Sequence, residues 1–291
     1  MGLIWRVTGT RSLYQPIKKS LSLANMDAFS LQLEFDRRLQ HLYSQSEIRF
    51  LYQQISGHFT RESEIRNALL RLEQSEPYQY VIGESTFYRK DFVVTPAVLI
   101  PRPETEELVE LALQRIALEK DFKEHLTIVD IGTGSGVIPI ILKMHQPHAV
   151  VWGIDVSPEA IEIAKSNAQR HLQKIEFVCM DYLRSSFPVQ NVDVLISNPP
   201  YISEEERQNI ERNVLGFEPY NALFAPGPDP LVFYRKLAKD AQSHLRPGGL
   251  VLVEINQKLG NETLDLFNKV CTRTELIQDL SGNDRFVVGI K

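Results

Sequence analysis

Between residues 126 and 255, short aliphatic runs alternate with helical stripes, and this alternation restricts the chain to one class of architecture. Runs at 126–131, 150–154, 175–179, 193–197 and 250–255 read as short buried strands. Helical periods separate them: one through Val137, Ile140, Ile141 and Leu142, one opening on Ser157 as N-cap and Pro158 at the first helical position, and one from about Leu231 to Leu245. Strands joined through helices form a mostly parallel sheet covered on both faces. After a further helix through Leu264 and Phe267 come two last runs, near 275–280 and 285–290. Only Ser281-Gly282-Asn283-Asp284 splits them, a connection short enough only for an antiparallel pair.

In open α/β sheets ligands bind beyond the carboxyl ends of the strands, so the residues at the strand tips carry the functional reading. The first strand runs into Gly132-Thr133-Gly134-Ser135-Gly136, where the missing side chains let the backbone turn sharply and approach a ligand closely. The loop is not G-x-G-x-x-G and no Walker lysine follows, so neither a dinucleotide nor a triphosphate is the expected ligand. Asp155 ends the next strand, where a carboxylate can accept both hydroxyls of a ribose. Asp181 and Tyr182, at the third tip, can supply an acceptor for an adenine amino group and a ring beside the base. A nucleoside anchor with a close-approach loop for an amino-acid tail describes S-adenosyl-L-methionine. The expected cofactor-binding residues are Gly132, Thr133, Gly134, Ser135, Gly136, Asp155, Asp181, Tyr182 and Asn198.

The fourth strand stops at Asn198, because neither Pro199 nor Pro200 can donate to a ladder. Beyond it stands a stiff loop with the Asn198 amide, the free carbonyl of Pro199 and the Tyr201 ring. These groups suit a flat NH2-bearing target: two acceptors for its N–H bonds and a ring against its face. A lone Pro-Pro is more simply a rigid turn with a packed tyrosine; the three preceding tips favour the functional reading.

Lys and Arg number 32 against 37 Asp and Glu, a formal net charge of −5, which argues against gripping a nucleic-acid backbone by bulk charge. The only cysteines, Cys179 and Cys271, form no CxxC, and His145 and His148 have no acidic or Cys partner at ligand spacing. Neither a disulfide framework nor a metal site is expected, and a reducing, cytoplasmic compartment fits. No apolar run approaches the ~18 residues of a membrane span.

Residues 1–26 are basic and free of acid, which fits a transit peptide, a disordered tail, or a start at Met26; a disordered extension is the expectation. Residues 27–82 carry three helical stripes: Leu31, Phe35, Leu39 and Leu42; Ile48, Leu51, Tyr52, Ile55 and Phe59; Ile65, Ala68, Leu69 and Leu72. They predict a small helical bundle for packing or partner recognition. Residues 83–103 read as a hairpin turning at Arg89-Lys90-Asp91, then a connector stiffened by Pro96, Pro101 and Pro103. Residues 104–291, opening on an acid-rich helix start, form the expected catalytic domain.

The Asn198-Pro199-Pro200-Tyr201 tetrad resembles that of amino methyltransferases. More closely, the chain from Met26 onward resembles the release-factor glutamine methyltransferases, through Phe87 with Phe92-Val93-Val94, Leu99-Ile100-Pro101-Arg102-Pro103-Glu104-Thr105-Glu106, Asp130 to Gly136, and Asp193 to Ile202. Further matches are Phe217-Glu218-Pro219 with Ala222-Leu223, Gly248-Gly249 with Glu254-Ile255, and Asp279 with Asp284-Arg285. The connector is the most specific, since generic amino methyltransferases lack it. The resemblance implies an α/β fold: a seven-stranded, Rossmann-like class I methyltransferase sheet with a small helical N-terminal domain. It also implies, as substrate, the Gln of the Gly-Gly-Gln loop of peptide-chain release factors. Tyr182 stands where the family usually has Trp, keeping an aromatic face, and Pro226-Gly227-Pro228-Asp229-Pro230-Leu231 replaces a Gly-Asp-Gly-Leu turn.

Under that resemblance, Asn198, Pro199, Pro200 and Tyr201 bind the substrate. Asn198 and Pro199 accept the two N–H bonds of a carboxamide, and Tyr201 stacks on its plane. Asn198, Pro199 and Tyr201 are the expected catalytic residues, acting without metal or strong base in an expected monomer with no direct nucleic-acid contact. Rival readings are a ribosomal-protein glutamine, an adenine-N6 target with the same acceptors, and a silent binding module.

Overall fold

The computed structural model describes residues 28–118, 125–210 and 212–291; the basic 1–26 stretch lies outside the described residues. The chain divides into two compact units, one ending at Tyr78 and the other running from Gln79 to Lys291.

The first unit holds α1 (28–39), α2 (Gln45–His58) and α3 (Glu62–Leu72). Ser44 caps α2 in a reciprocal box, its backbone N–H donating to Glu47 at 2.7 Å. The three apolar stripes turn inward: Leu31, Phe35 and Leu39, then Ile48, Leu51 and Ile55, then Ile65, Ala68, Leu69 and Leu72 are all buried. Tyr52 and Phe59 are half-buried, and Leu42 is exposed at 40%, because α1 ends before it and the helical period no longer applies. Arg38 donates to Glu73 at 2.5 Å, tying α1 to the end of α3.

The short helix α4 (Tyr78–Ile82) begins on the last residue of the first unit, and the second continues with an antiparallel hairpin, β1 (Glu84–Phe87) and β2 (Lys90–Val93). Its turn residues are Tyr88 and Arg89, both at positive φ (51° and 59°), a two-residue turn whose twist matches that of the strands. The sequence placed the turn one residue later, because neither position carries the Gly or Asn that normally marks such a turn.

Then follow α5 (Pro103–Leu118), β3 (Thr127–Ile131), α6 (Val137–His145), β4 (Val150–Asp155), α7 (Pro158–Arg170), β5 (Glu176–Cys179) and β6 (Val192–Ser197). Beyond β6 the chain forms a 3-10 turn (Glu204–Asn209), α8 (Arg212–Phe217) and α9 (Tyr220–Leu223). The remainder is α10 (Val232–His244), β7 (Leu245–Glu254), α11 (Gly260–Asn268), β8 (Arg273–Gln278) and β9 (Asp284–Ile290).

The sheet has seven strands in the order β5-β4-β3-β6-β7-β9-β8. The first five are parallel, and β9 runs antiparallel to both its neighbours. Successive strand residues point to opposite faces, and the two cores divide accordingly. Ile128, Val194, Ile196, Leu250 and Leu252 pack with α5 and α6; Val129, Ile131, Leu195, Val251 and Val253 pack with α10 and Phe267 of α11. The Arg246-Pro247-Gly248-Gly249 turn is an irregularity within β7, where the register with β6 jumps from Val192↔Leu245 to Val194↔Leu250. No helix among the described residues is long and apolar enough to cross a membrane.

Candidate active site

Chain order reverses about β3: its sequence successor β4 lies on one side and β6 on the other, which opens a crevice at their carboxyl ends. A cavity of about 310 Å³ fills that crevice, lined by Gly132, Gly134, Asp155, Asp181, Tyr182, Asn198 and Pro200 together with apolar groups such as Leu99, Ile131 and Phe224.

The glycine loop is set by its backbone. Gly132 (φ 74°) and Gly134 (φ 53°) occupy left-handed conformations that side chains disfavour. The N–H groups of Gly132 and Thr133 both donate to the Ile154 carbonyl, at 2.8 and 2.9 Å, docking the loop on the end of β4. A Cβ at Gly132 would stand 3.7 Å from the Asn198 carbonyl, so the loop and the tetrad adjoin. Thr133, Ser135 and Gly136 do not line the cavity: the first two side chains are buried, and a Cβ on Gly136 would come within 3.0 Å of the Ala164 Cβ. They shape the loop from behind. Asn167, fully buried on α7, donates to the Ser135 carbonyl (2.9 Å) and the Val93 carbonyl (3.0 Å), and accepts from the Val93 N–H (2.7 Å). It clamps the loop to β2, a role with no motif to announce it.

Asp155 accepts from Gly134 N–H at 2.8 Å and from Ser157 N–H at 3.0 Å, one bond on each oxygen. Burial raises its pKa, opposed by these bonds. A carboxylate has about four acceptor sites, so capacity remains for hydroxyl donors. Asp181 accepts from the N–H groups of Leu183 (3.1 Å) and Arg184 (3.3 Å), which fixes the turn carrying Tyr182. The Tyr182 ring is buried under the Lys236 ammonium, 4.7 Å from its centroid. Deeper in β3, Asp130 is wholly buried, and burial pushes its carboxyl up to about 7, against a smaller lowering by the Thr133 hydroxyl. A glycine turn that a ligand can approach closely, an acid with spare acceptor sites and an aromatic wall fit S-adenosylmethionine.

Asn198 is held from behind. Its Nδ2 donates to Thr105 Oγ1 at 2.9 Å, and that hydroxyl donates to Glu254 Oε2 at 2.8 Å. The Tyr201 hydroxyl donates to the other oxygen, Oε1, at 3.2 Å. Glu254, 1% exposed at the tip of β7, has its carboxyl pushed up to about 7 by burial, with Thr105, Arg285 and Tyr201 lowering it and Glu104 raising it. Tyr201 therefore faces Glu254, and neither it nor Pro199 lines the cavity. The paired prolines carry the chain on past the crevice, and the ring packs against the core on the α10 side of the sheet.

The connector residues find distant partners too. Arg102 pairs with the buried Glu218 at 2.6 Å, and Arg285 with Asp279 at 3.0 Å. Thr105 and Glu254 were visible in the sequence only as parts of longer motifs, with nothing to say that they meet.

The parallel sheet with its antiparallel β9 and the crevice beside β3 define a class I methyltransferase fold. A Pyrococcus furiosus methyltransferase superposes with a TM-score of 0.50 at 19% identity, over 79% of this chain and 98% of that one. The Thermus thermophilus 16S rRNA N2 G1207 methyltransferase gives 0.51 at 15% identity, over 72% and 49%. These likenesses show the fold. The family profile of the methyltransferase small domain matches residues 111–216. The release factor glutamine methyltransferase of Flavobacterium psychrophilum is 42% identical, covering 75% of this chain and 77% of its own. That of Streptococcus pneumoniae is 34% identical over 95% and 96%. The chain belongs to the release factor glutamine methyltransferase family.

Proposed function

We propose that the protein transfers a methyl group from S-adenosylmethionine to the side-chain amide nitrogen of the Gln in the Gly-Gly-Gln loop of a peptide-chain release factor, acting as a cytoplasmic monomer. The observation that carries this reading is the shared crevice: an amide with its nitrogen already engaged stands beside the glycine loop. The cofactor supplies an electrophilic methyl group on a sulfonium, so the protein needs to orient its acceptor more than to activate it.

A carboxamide nitrogen is a weak nucleophile because its lone pair is delocalised into the carbonyl. In the proposed site Asn198 Oδ1 accepts one of its N–H bonds, which orients the nitrogen and favours a pyramidal geometry; Pro199, outside the cavity lining, would take the second only by turning its carbonyl inward as the substrate binds. Pro200, on the cavity wall, excludes water. Tyr201, anchored on Glu254, holds the far end of the loop, a positioning role in place of the stacking expected from sequence. Alignment of this kind is worth up to ~7–11 kcal/mol. On the cofactor side, Asp155 would accept the ribose hydroxyls, Asp181 and Tyr182 would take the adenine, and the turn at Gly132 and Gly134 would receive the amino-acid tail.

The test is incubation with methyl-labelled S-adenosylmethionine and, in parallel, intact release factor, ribosomal proteins or nucleic acid. Label is expected on the release factor, in its Gly-Gly-Gln peptide. Label on nucleic acid alone would overturn the reading.

A further inference from the structure

We propose that Thr105 and Glu254 are positioning residues that fix which end of the Asn198 amide faces the substrate. The inference rests on the reading of Asn198 as an acceptor for the substrate amide. Three elements converge: Thr105 on the first turn of α5, Asn198 just past β6, and Glu254 at the end of β7. Thr105 and Glu254 are buried, at 4% and 1% exposure, so water does not compete for their hydrogen bonds.

Counting protons decides the orientation. A threonine hydroxyl has one proton, and an ionised carboxylate can only accept. At 2.8 Å from Glu254 Oε2, the Thr105 proton goes to the carboxylate. The Thr105 oxygen can then only accept, and only the nitrogen end of a primary amide can satisfy it at 2.9 Å. A flipped Asn198 would set two oxygens against each other with no proton between them. Burial, with a smaller push from Glu104, raises the Glu254 carboxyl to about 7 against the Thr105 hydroxyl, the charge of Arg285 and the Tyr201 hydroxyl, so the relay in this direction belongs to the ionised carboxylate and is complete above pH 7. Proton donation therefore runs one way, from Asn198 through Thr105 to Glu254, and leaves Oδ1 as the end available to the cavity. Freed of this relay, the amide could turn over and present its own NH2 to the substrate NH2, donor against donor.

Glu254→Gln separates this role from a structural one. Glutamine has nearly the same shape but can donate to Thr105, which frees the Thr105 proton to point at Asn198 and accommodates the inverted amide. Glu254→Gln and Thr105→Val are each expected to lower kcat about 100-fold, the usual scale for one lost oriented contact. KM for intact release factor and calorimetric affinity for S-adenosylmethionine should stay near wild type in both, and Tm in Glu254→Gln, whereas Thr105→Val should melt somewhat lower because it strips a donor from a buried carboxylate. Thr105→Ser, which restores the hydroxyl, should turn over within about 3-fold of wild type. The Thr105→Val/Glu254→Gln double variant should be no slower than the worse single variant, since the residues act as one unit. Near-normal kcat in Glu254→Gln beside an inactive Asn198→Ala would overturn the relay and leave the role of Asn198 standing; so would multiplied losses in the double variant. An active Asn198→Ala would overturn both.

Discussion

Asn198 and Thr105 lie 93 residues apart and meet through a 2.9 Å hydrogen bond from the asparagine nitrogen to the threonine oxygen. The bond joins the tetrad to the connector, the two stretches on which the family resemblance most depends. It also accounts for the chemistry at position 105, where a helix start without this partner would accept any good N-terminal residue. The loop beyond β6 is thus held at Asn198 through Thr105 and at Tyr201 through Glu254, and both holds end on one buried carboxylate.

Asn198→Ala removes the proposed acceptor and leaves the glycine loop and Asp155 untouched. Methyl transfer should fall below detection while calorimetric affinity for S-adenosylmethionine stays within a few-fold. Wild-type turnover by this variant would exclude the role.

Asp155→Ala should weaken the cofactor. Charge-assisted hydrogen bonds contribute roughly 1.5–3 kcal/mol each, so Kd for S-adenosylmethionine should rise at least ~10-fold. The variant also takes a partner from Gly134 N–H, so the loop should exchange its amide protons faster.

The pH dependence of stability should carry the mark of Asp130, which faces Thr133 and the Asp155 charge. In the unfolded chain its carboxyl ionises near 3.8, in the folded protein at about 7. Between these values the native state holds the extra proton, so raising pH favours unfolding. The cofactor-free protein should lose up to ~4 kcal/mol from this group across that window. Asp130→Asn, which cannot ionise, should be more stable than wild type above pH 7, with the difference in Tm shrinking toward pH 4. A constant difference across the range would refute the assignment.

Gly153 tests how tightly the sheet supports the glycine loop. A Cβ there would fall 2.7 Å from the Phe177 ring and 2.9 Å from Thr133 Oγ1. Gly153→Ala should therefore cost ~1–3 kcal/mol in a urea melt, the usual range for overpacking. Since Thr133 must give way, cofactor affinity should fall with it.

Arg102→Ala strands the Glu218 carboxylate, whose side chain is 1% exposed. Breaking such a pair from one side costs ~3 kcal/mol or more, less here because Arg102 is partly exposed. Thermal melts should show Glu218→Gln, which leaves no buried charge, to be the milder change.

The strands were legible because each carries its apolar residues in a short block ending in a charged or polar tip. The cavity gathers Gly132, Asp155, Asp181 and Asn198 because all four stand at carboxyl ends of neighbouring parallel strands, a consequence of topology once the strands are placed. The supports were not legible. Thr105 and Glu254 are 149 residues apart, and periodicity says nothing of which buried polar groups will share a proton. Asn167 sits on α7 among ordinary helical residues and differs only in what it meets. The short helices after Ile202 carry too few turns for a period to show in the sequence; a bridge between Ile202 and Phe224 draws that segment toward the crevice.

The Asn167 clamp bears on where this enzyme could be cut. Two of its bonds end on the backbone of Val93 in β2, and a third on the Ser135 carbonyl in the glycine turn. A shortened protein beginning at α5 would keep every strand of the large sheet and the Asn167 bond to Ser135, yet leave that asparagine without the two bonds to Val93 that fix its side chain. The hairpin thus stiffens the glycine turn from behind, through Asn167, without reaching the cavity itself.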